Sequence, residues 1–132
     1  MRKLIWLSVF FAAIIGTPAK AGLCYVGYPP IALWSISQVP NGDGRYRYYI
    51  SVYNRKGFTY TFDLAFSGFQ RVVLGSPVMA NLQLSPFEMI PDLLFGFGTN
   101  ANINRQSVEF VYDQRPSRRG GATVRITNCR QG

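Results

Sequence analysis

The chain has 132 residues, with 14 Lys and Arg against 6 Asp and Glu, and no histidine. This length fits one domain built around one core. The lack of histidine removes the commonest general base and a principal zinc ligand, and a net charge of +8 at pH 7 favours acidic or anionic partners.

The first residues read as an export signal. Arg2 and Lys3 form a positive start, the apolar run Leu4–Ile15 follows, and Ala19-Lys20-Ala21 is a small-x-small cleavage site. The run is short for a membrane span, which needs about 20 residues. Residues 1–21 are therefore expected to be cleaved, with a retained anchor as the alternative. Residues 22–132 are then a single domain in the periplasm or medium, with no transmembrane segment. Leu23 before Cys24 argues against lipidation, because a lipoprotein signal has a small residue there.

Cys24 and Cys129 are the two cysteines and lie near opposite ends of the exported part. An oxidising compartment makes a disulfide between them the expected state. A loop of roughly 100 residues closed in this way lowers unfolded-chain entropy by about 4–5 kcal/mol in the simplest model.

The elements follow in order. Gly22–Pro30 reads as extended, with Tyr25, Tyr28 and a Pro-Pro pair. Ile31–Gln38 predicts a strand with Ala32, Trp34 and Ile36 facing inward. Pro40–Gly44 is a turn signal. Arg45–Phe66 then alternates apolar with polar side chains over two runs rich in aromatic and β-branched residues, which predicts two half-buried strands. Tyr46, Tyr48, Ile50 and Val52 form one inward set, and Phe58, Tyr60, Phe62, Leu64 and Phe66 form the next.

These two strands are expected to pair as a hairpin around which the chain is organised, and parity selects a three-residue loop, Arg55-Lys56-Gly57, with positive φ at Gly57. The predicted pairs are Val52–Tyr60, Ile50–Phe62 and Tyr48–Leu64, with Tyr49 opposite Asp63 on the outer face.

Gln70–Leu74 and Val78–Leu84 predict two further short strands. Ser85–Pro91 is bracketed by prolines and reads as an irregular crossover. Leu93–Gly98 predicts a strand with Leu93, Phe95 and Phe97 on one side, where Gly96 and Gly98 signal a bulge or close backbone approach. Thr99–Gln106 is a polar loop. Ser107–Asp113 predicts a strand with Val108, Phe110 and Tyr112 inward. Gln114–Gly121 is a loop tip. Ala122–Cys129 is the last strand, with Val124 and Ile126 inward and outward Arg125 placed to pair with Glu109. The predicted fold is all-β, a β-sandwich of about 7–8 short antiparallel strands.

The succession Val52-Tyr53-Asn54, Tyr60-Thr61-Phe62-Asp63-Leu64 and Leu82-Gln83-Leu84-Ser85-Pro86 resembles bacterial immunoglobulin-like periplasmic domains such as the amino-terminal domain of pilus chaperones. The resemblance covers about Tyr46–Phe97. It implies an immunoglobulin-like sandwich and carries over no functional residue.

Candidate chemistry is sparse. No Gly-x-Ser-x-Gly elbow, phosphate loop, zinc motif or calcium loop occurs, and no cofactor is expected. Glu88 and Asp92 are the one close carboxylate pair. They are read as solvated loop charges, with a carboxylate-based hydrolase as the alternative.

Two basic clusters stand out. Arg45, Arg47, Arg55 and Lys56 with Tyr49 and Tyr53 have the arginine–tyrosine make-up that holds anions and stacks on rings; the plainer reading packs the tyrosines under a neighbouring segment. Arg115, Arg118 and Arg119 sit at a loop tip suited to lipid headgroups or anionic polysaccharide, or simply to solvent. An exported chain seldom meets nucleic acid. The expected function is non-enzymatic binding of another envelope or secreted protein, or a structural role, with anionic polymers or lipids as the alternative ligand.

Overall fold

The computed structural model describes residues 28–132. Residues 1–27 lie outside this range, so the signal peptide, its cleavage and Cys24 do too. Among the described residues no helix is long and apolar enough to cross a membrane.

Eight strands form two four-stranded sheets. Sheet A has the order β1-β2-β6-β4, from Ile31–Pro40, Tyr46–Asn54, Met89–Gly98 and Val72–Leu74. Sheet B has the order β5-β3-β8-β7, from Val78–Leu84, Tyr60–Ser67, Thr123–Gln131 and Glu109–Tyr112. The sheets share one core. Ile36, Tyr48, Ile50, Val52 and Phe95 come from sheet A, and Phe62, Leu64, Phe66, Val124 and Ile126 from sheet B. Phe66 stacks on Phe95 across the two layers with ring centroids 4.9 Å apart. The architecture is therefore an all-β, sandwich-like pair of sheets.

The expected β2–β3 hairpin does not form. β2 pairs with β1 and β6, while β3 pairs with β5 and β8. Ile50 lies opposite Ile36 and Leu93, not Phe62, and Asp63 lies opposite Thr127, not Tyr49. Alternation states which side of a strand is buried but not which strand lies beside it. Both even-numbered sets still reach the core, from opposite sheets. The connection is an arch, so the hairpin parity rule has no hold on it. Gly57 is not among the positive-φ glycines. An added Cβ there would meet the Phe87 ring at an ordinary contact distance of 3.6 Å. Phe58, expected inside, is 57 % exposed at the arch.

Asn54 holds this arch. It is fully buried. Its Nδ2 donates to the carbonyls of Phe58 at 2.7 Å, Ser85 at 2.9 Å and Leu84 at 3.3 Å. Its Oδ1 accepts the Lys56 amide at 2.9 Å, and its own amide donates to the Glu88 carbonyl at 2.9 Å. One side chain thus stitches the β2–β3 arch to the β5–β6 connection. That connection is tighter than the expected crossover. β6 already begins at Met89, and Pro91 lies inside the strand at a register shift against β2.

Bulges reset the inward parity elsewhere. In β1 the register steps from Leu33↔Val52 to Ser35↔Ser51. Trp34 is the extra residue and faces solvent, while Ile31, Leu33 and Ile36 are buried. In β6, Gly96 opposes Tyr48 and Leu94 opposes Tyr49, so Phe95 is the extra residue and Phe97 turns outward beside Arg47. The close approach expected at Gly96 and Gly98 is present: an added Cβ on Gly98 would overlap the Arg71 carbonyl of the chain entering β4.

The edge pair β7–β8 is parallel, not antiparallel as expected. The segment 113–122 is long enough to run back along four-residue β7 before β8 starts. It covers the outer side of β7, where Val111 is buried. Glu109 and Arg125 do not pair. Glu109 accepts the amides of Arg118 and Arg119 and the Ser117 hydroxyl, while Arg125 Nη1 donates to the Asp113 and Arg115 carbonyls. Cys129 is buried on the core side of β8; its expected partner, Cys24, lies outside the described residues.

Replacing Asn54 with alanine strands several buried carbonyls and an amide together. The Asn54→Ala variant is expected to lose about 2–4 kcal/mol of stability. In urea unfolding this appears as a lower midpoint with unchanged slope.

Candidate functional site: the outer face of sheet A

The two outer faces differ in kind. On sheet B, Asp63 sits in the central strand with a bulge on each side. Its Oδ1 accepts the Asn81 amide at 2.8 Å, and its Oδ2 accepts Asn128 Nδ2 at 2.8 Å. Asn81 and Asn128 both hold positive φ, which asparagine tolerates better than most residues. Arg130 Nη2 reaches Asn81 Oδ1 at 3.1 Å. At the β7 end, Glu109 is tied to its loop. This face largely satisfies its own polar groups.

Sheet A is apolar outside as well as inside. Paired residues of antiparallel strands share a face. Val39, Arg47, Phe97 and Val73 are in register and make one row across all four strands. Ser37, Tyr49 and Leu94 make the next row, and Ala32, Tyr53 and Met89 the third. Trp34 joins the last row through the bulge, its ring 5.6 Å from Tyr53. Val73 is 68 % exposed, Trp34 52 % and Leu94 43 %. The Arg47 guanidinium lies 5.9 Å from the Tyr49 ring centroid, and its Nε is buried without a hydrogen-bond partner.

The first basic cluster is divided by this geometry. Arg47, Tyr49 and Tyr53 lie on the sheet face, with Tyr53 against Trp34 rather than under a loop. Arg45 sits in the turn at one end, where its amide bonds Asp43 Oδ1 at 3.1 Å. Arg55 and Lys56 are at the other end of nine-residue β2, about 30 Å away at ~3.3 Å per residue. There the Arg55 guanidinium stacks 4.4 Å from the Tyr28 ring centroid, and Lys56 Nζ lies 5.4 Å from it. One small anion cannot touch both ends.

The second cluster is an ordered tip. Glu109 pins the amides of Arg118 and Arg119, and Arg119 Nη1 donates to the Gln106 carbonyl. The amides of Arg118 and Arg119 and the Ser117 hydroxyl together hold the Glu109 carboxyl below its ordinary pKa. Arg115 lines a hollow between this tip and β7.

Of the carboxylate pair, Glu88 has structural work through its side chain and Asp92 through its backbone. Glu88 Oε1 accepts the Ser85 amide at 2.6 Å and closes the turn before β6. Asp92 takes positive φ at the β6 bulge, and its amide donates to Ser51 Oγ at 3.0 Å. Two phenols are displaced upward by burial. Tyr48 donates to the Asn100 carbonyl at 2.7 Å, and Tyr112 donates to the Ile31 carbonyl at 2.5 Å.

Sequence reasoning placed Tyr49, Tyr53 and Arg47 outward but missed Trp34, Val73, Leu94 and Phe97. A signal existed in the adjacent apolar pairs Val72-Val73 and Leu93-Leu94. Neighbouring residues of a strand point to opposite sides, so such pairs mark a strand apolar on both.

No protein-family model, curated protein or solved structure matches this chain.

Asp63 supplies a pH test of the sheet B frame. Partial burial alone raises its pKa, but the Asn81 amide, Asn128 and Arg130 outweigh that and leave it below the ordinary value. Its stabilising contribution is therefore complete above the unfolded value of about 3.9 and is lost as pH falls through the folded one. The stability gap between wild type and Asp63→Asn, read by urea titration, should be largest near about pH 6 and shrink towards about pH 2.5.

Proposed function

We propose that this chain is a non-catalytic, exported binding module that docks a second envelope or secreted protein on the outer face of sheet A. One observation carries the reading: three registered rows of exposed and half-buried, mainly apolar and aromatic side chains cross a sheet whose other side already supplies the core. Isolated apolar residues are normal on surfaces, but a contiguous face of this kind marks an interaction site.

Its make-up favours a protein partner. Interfaces are enriched in Trp, Tyr, Phe, Met and Arg and depleted in Lys and Glu. This face presents Trp34, Tyr49, Tyr53, Phe97, Met89 and Arg47. The expected partner carries an apolar patch with an acidic group placed to meet Arg47 and, at the rim, Arg45. A polyanion would call for denser basic charge, and the Arg115–Arg119 tip has a carboxylate, Glu109, bound in its midst.

The surrounding reading agrees. The signal-like residues 1–21 support export, and buried Cys129 on the core side of β8 suits a disulfide to Cys24. The hydrogen bonds of Glu88 and the strand position of Asp92 support structural rather than catalytic roles. Two four-stranded sheets with β1 and β2 side by side in one of them suit an immunoglobulin-like sandwich, while β5 of the other sheet coming between β4 and β6 in the chain and the parallel β7–β8 edge depart from its strand order.

The test compares three mature proteins as bait in cross-linked envelope extract: wild type, Trp34→Ser/Leu94→Ser/Phe97→Ser, and Arg115→Ala/Arg118→Ala/Arg119→Ala. A specific partner should be retained by wild type and the arginine variant and lost by the face variant at unchanged thermal midpoint. Retention by the face variant, with loss by the arginine variant, would transfer the function to the loop and to anionic polymers.

A further inference from the structure

A second site lies apart from the sheet face, on the open side of the sandwich where edge strands β1 and β7 approach each other. Tyr112 of β7 reaches across to the Ile31 carbonyl of β1. Beside that bridge is a shallow, open cleft of about 270 Å³. Leu33, Val108 and Phe110 give it an apolar floor, and Arg55, Arg105 and Tyr112 give it polar walls.

The two arginines come from different places. Arg55 belongs to the β2–β3 arch and is anchored through its amide, which donates to the Pro30 carbonyl at 2.7 Å. Arg105 belongs to the loop between β6 and β7. The partners of the Arg55 guanidinium are neutral phenols: Nη1 bonds the Tyr28 hydroxyl at 3.0 Å, the plane stacks on the same ring, and the side chain also interacts with the Tyr112 hydroxyl. Its Nε is buried and lacks an acceptor. No carboxylate lines the cleft. Two guanidinium groups, one with an unused N–H, over an apolar floor match a ligand with an anionic head and an apolar body. A planar carboxylate meets the guanidinium fork with two parallel hydrogen bonds, while the neighbouring apolar side chains can cover an apolar stem.

We propose that the Arg55–Arg105 cleft binds a carboxylate carried on a short apolar stem, either the C-terminus of a polypeptide ending in an apolar residue or a free fatty carboxylate. Tyr112 closes one wall and holds the β1 and β7 edges in place. This site shares only Ala32 with the sheet A face, and neither arginine belongs to that surface, so it does not depend on the docking proposed there.

The probes are octanoate, an acetylated pentapeptide ending in leucine with a free carboxylate, the same peptide as its C-terminal amide, and inorganic phosphate. The readout is the methyl resonances of Leu33 and Val108 in the mature protein. At least one of the two carboxylates should shift these methyls saturably, and the amide should bind at least tenfold more weakly. Arg105→Gln should weaken the carboxylate at least tenfold with an unchanged urea midpoint, because Arg105 is exposed and its loss leaves the core intact. Saturation by the free-acid peptide alone assigns a chain terminus, and by octanoate alone a fatty acid. The proposal fails if neither saturates, if amide and acid bind alike, if Arg105→Gln has no effect, or if phosphate shifts the same methyls equally well.

Discussion

A single buried amide side chain sits where the two layers of this molecule are joined. Asn54 is enclosed at the end of β2, and each of its hydrogen bonds goes to backbone that has just left one sheet for the other. An arch exposes more unpaired peptide groups than a two-residue hairpin, because its strands do not hydrogen-bond each other. Those groups need partners once they are buried. Asn54 supplies both donor and acceptor from one position, and an aliphatic residue of equal size supplies neither. The two arches therefore stand or fall together, and with them the opposition of β2 to β3 across the core.

That opposition explains the rest. Since β2 and β3 do not share a sheet, each gains a neighbour on both sides, and the inward residues of the two sheets meet face to face, as Phe66 of β3 and Phe95 of β6 do. The outward residues of β2 then lie in the middle of sheet A, flanked by β1 and β6. Tyr49 and Tyr53 become the centre of a broad platform rather than one flank of a narrow ribbon. The same arrangement sends Arg55 to the far end of the sandwich, where with Tyr28 and Tyr112 it borders the open side.

Much of this was legible in the sequence, and the illegible part has definite causes. Strand positions followed from alternation and turn residues: β5 falls at Val78–Leu84 as read, and Val124 and Ile126 are buried as read. Strand partners did not follow, because period-two patterning is the same for a hairpin and an arch. Single-residue bulges at Trp34 and Phe95 reversed the facing of everything beyond them. Trp34 was placed inside for this reason, and Phe97 was grouped with the wrong face. The platform was half visible in Arg47, Tyr49 and Tyr53. Its other half depends on register between strands far apart in sequence, as does the meeting of Arg55 with Arg105.

The central claim is the placement of β2 and β3 in different sheets, and backbone proximity in solution tests it most directly. In nuclear Overhauser spectra of the folded protein, cross-strand backbone contacts should join the Ile50 region to Ile36 and Leu93, and the Leu64 region to Met79 and Ile126. Ile50 and Phe62 should show side-chain contacts only. A ladder of backbone contacts linking Val52 to Tyr60 and Ile50 to Phe62 would contradict the arch and the platform built on it.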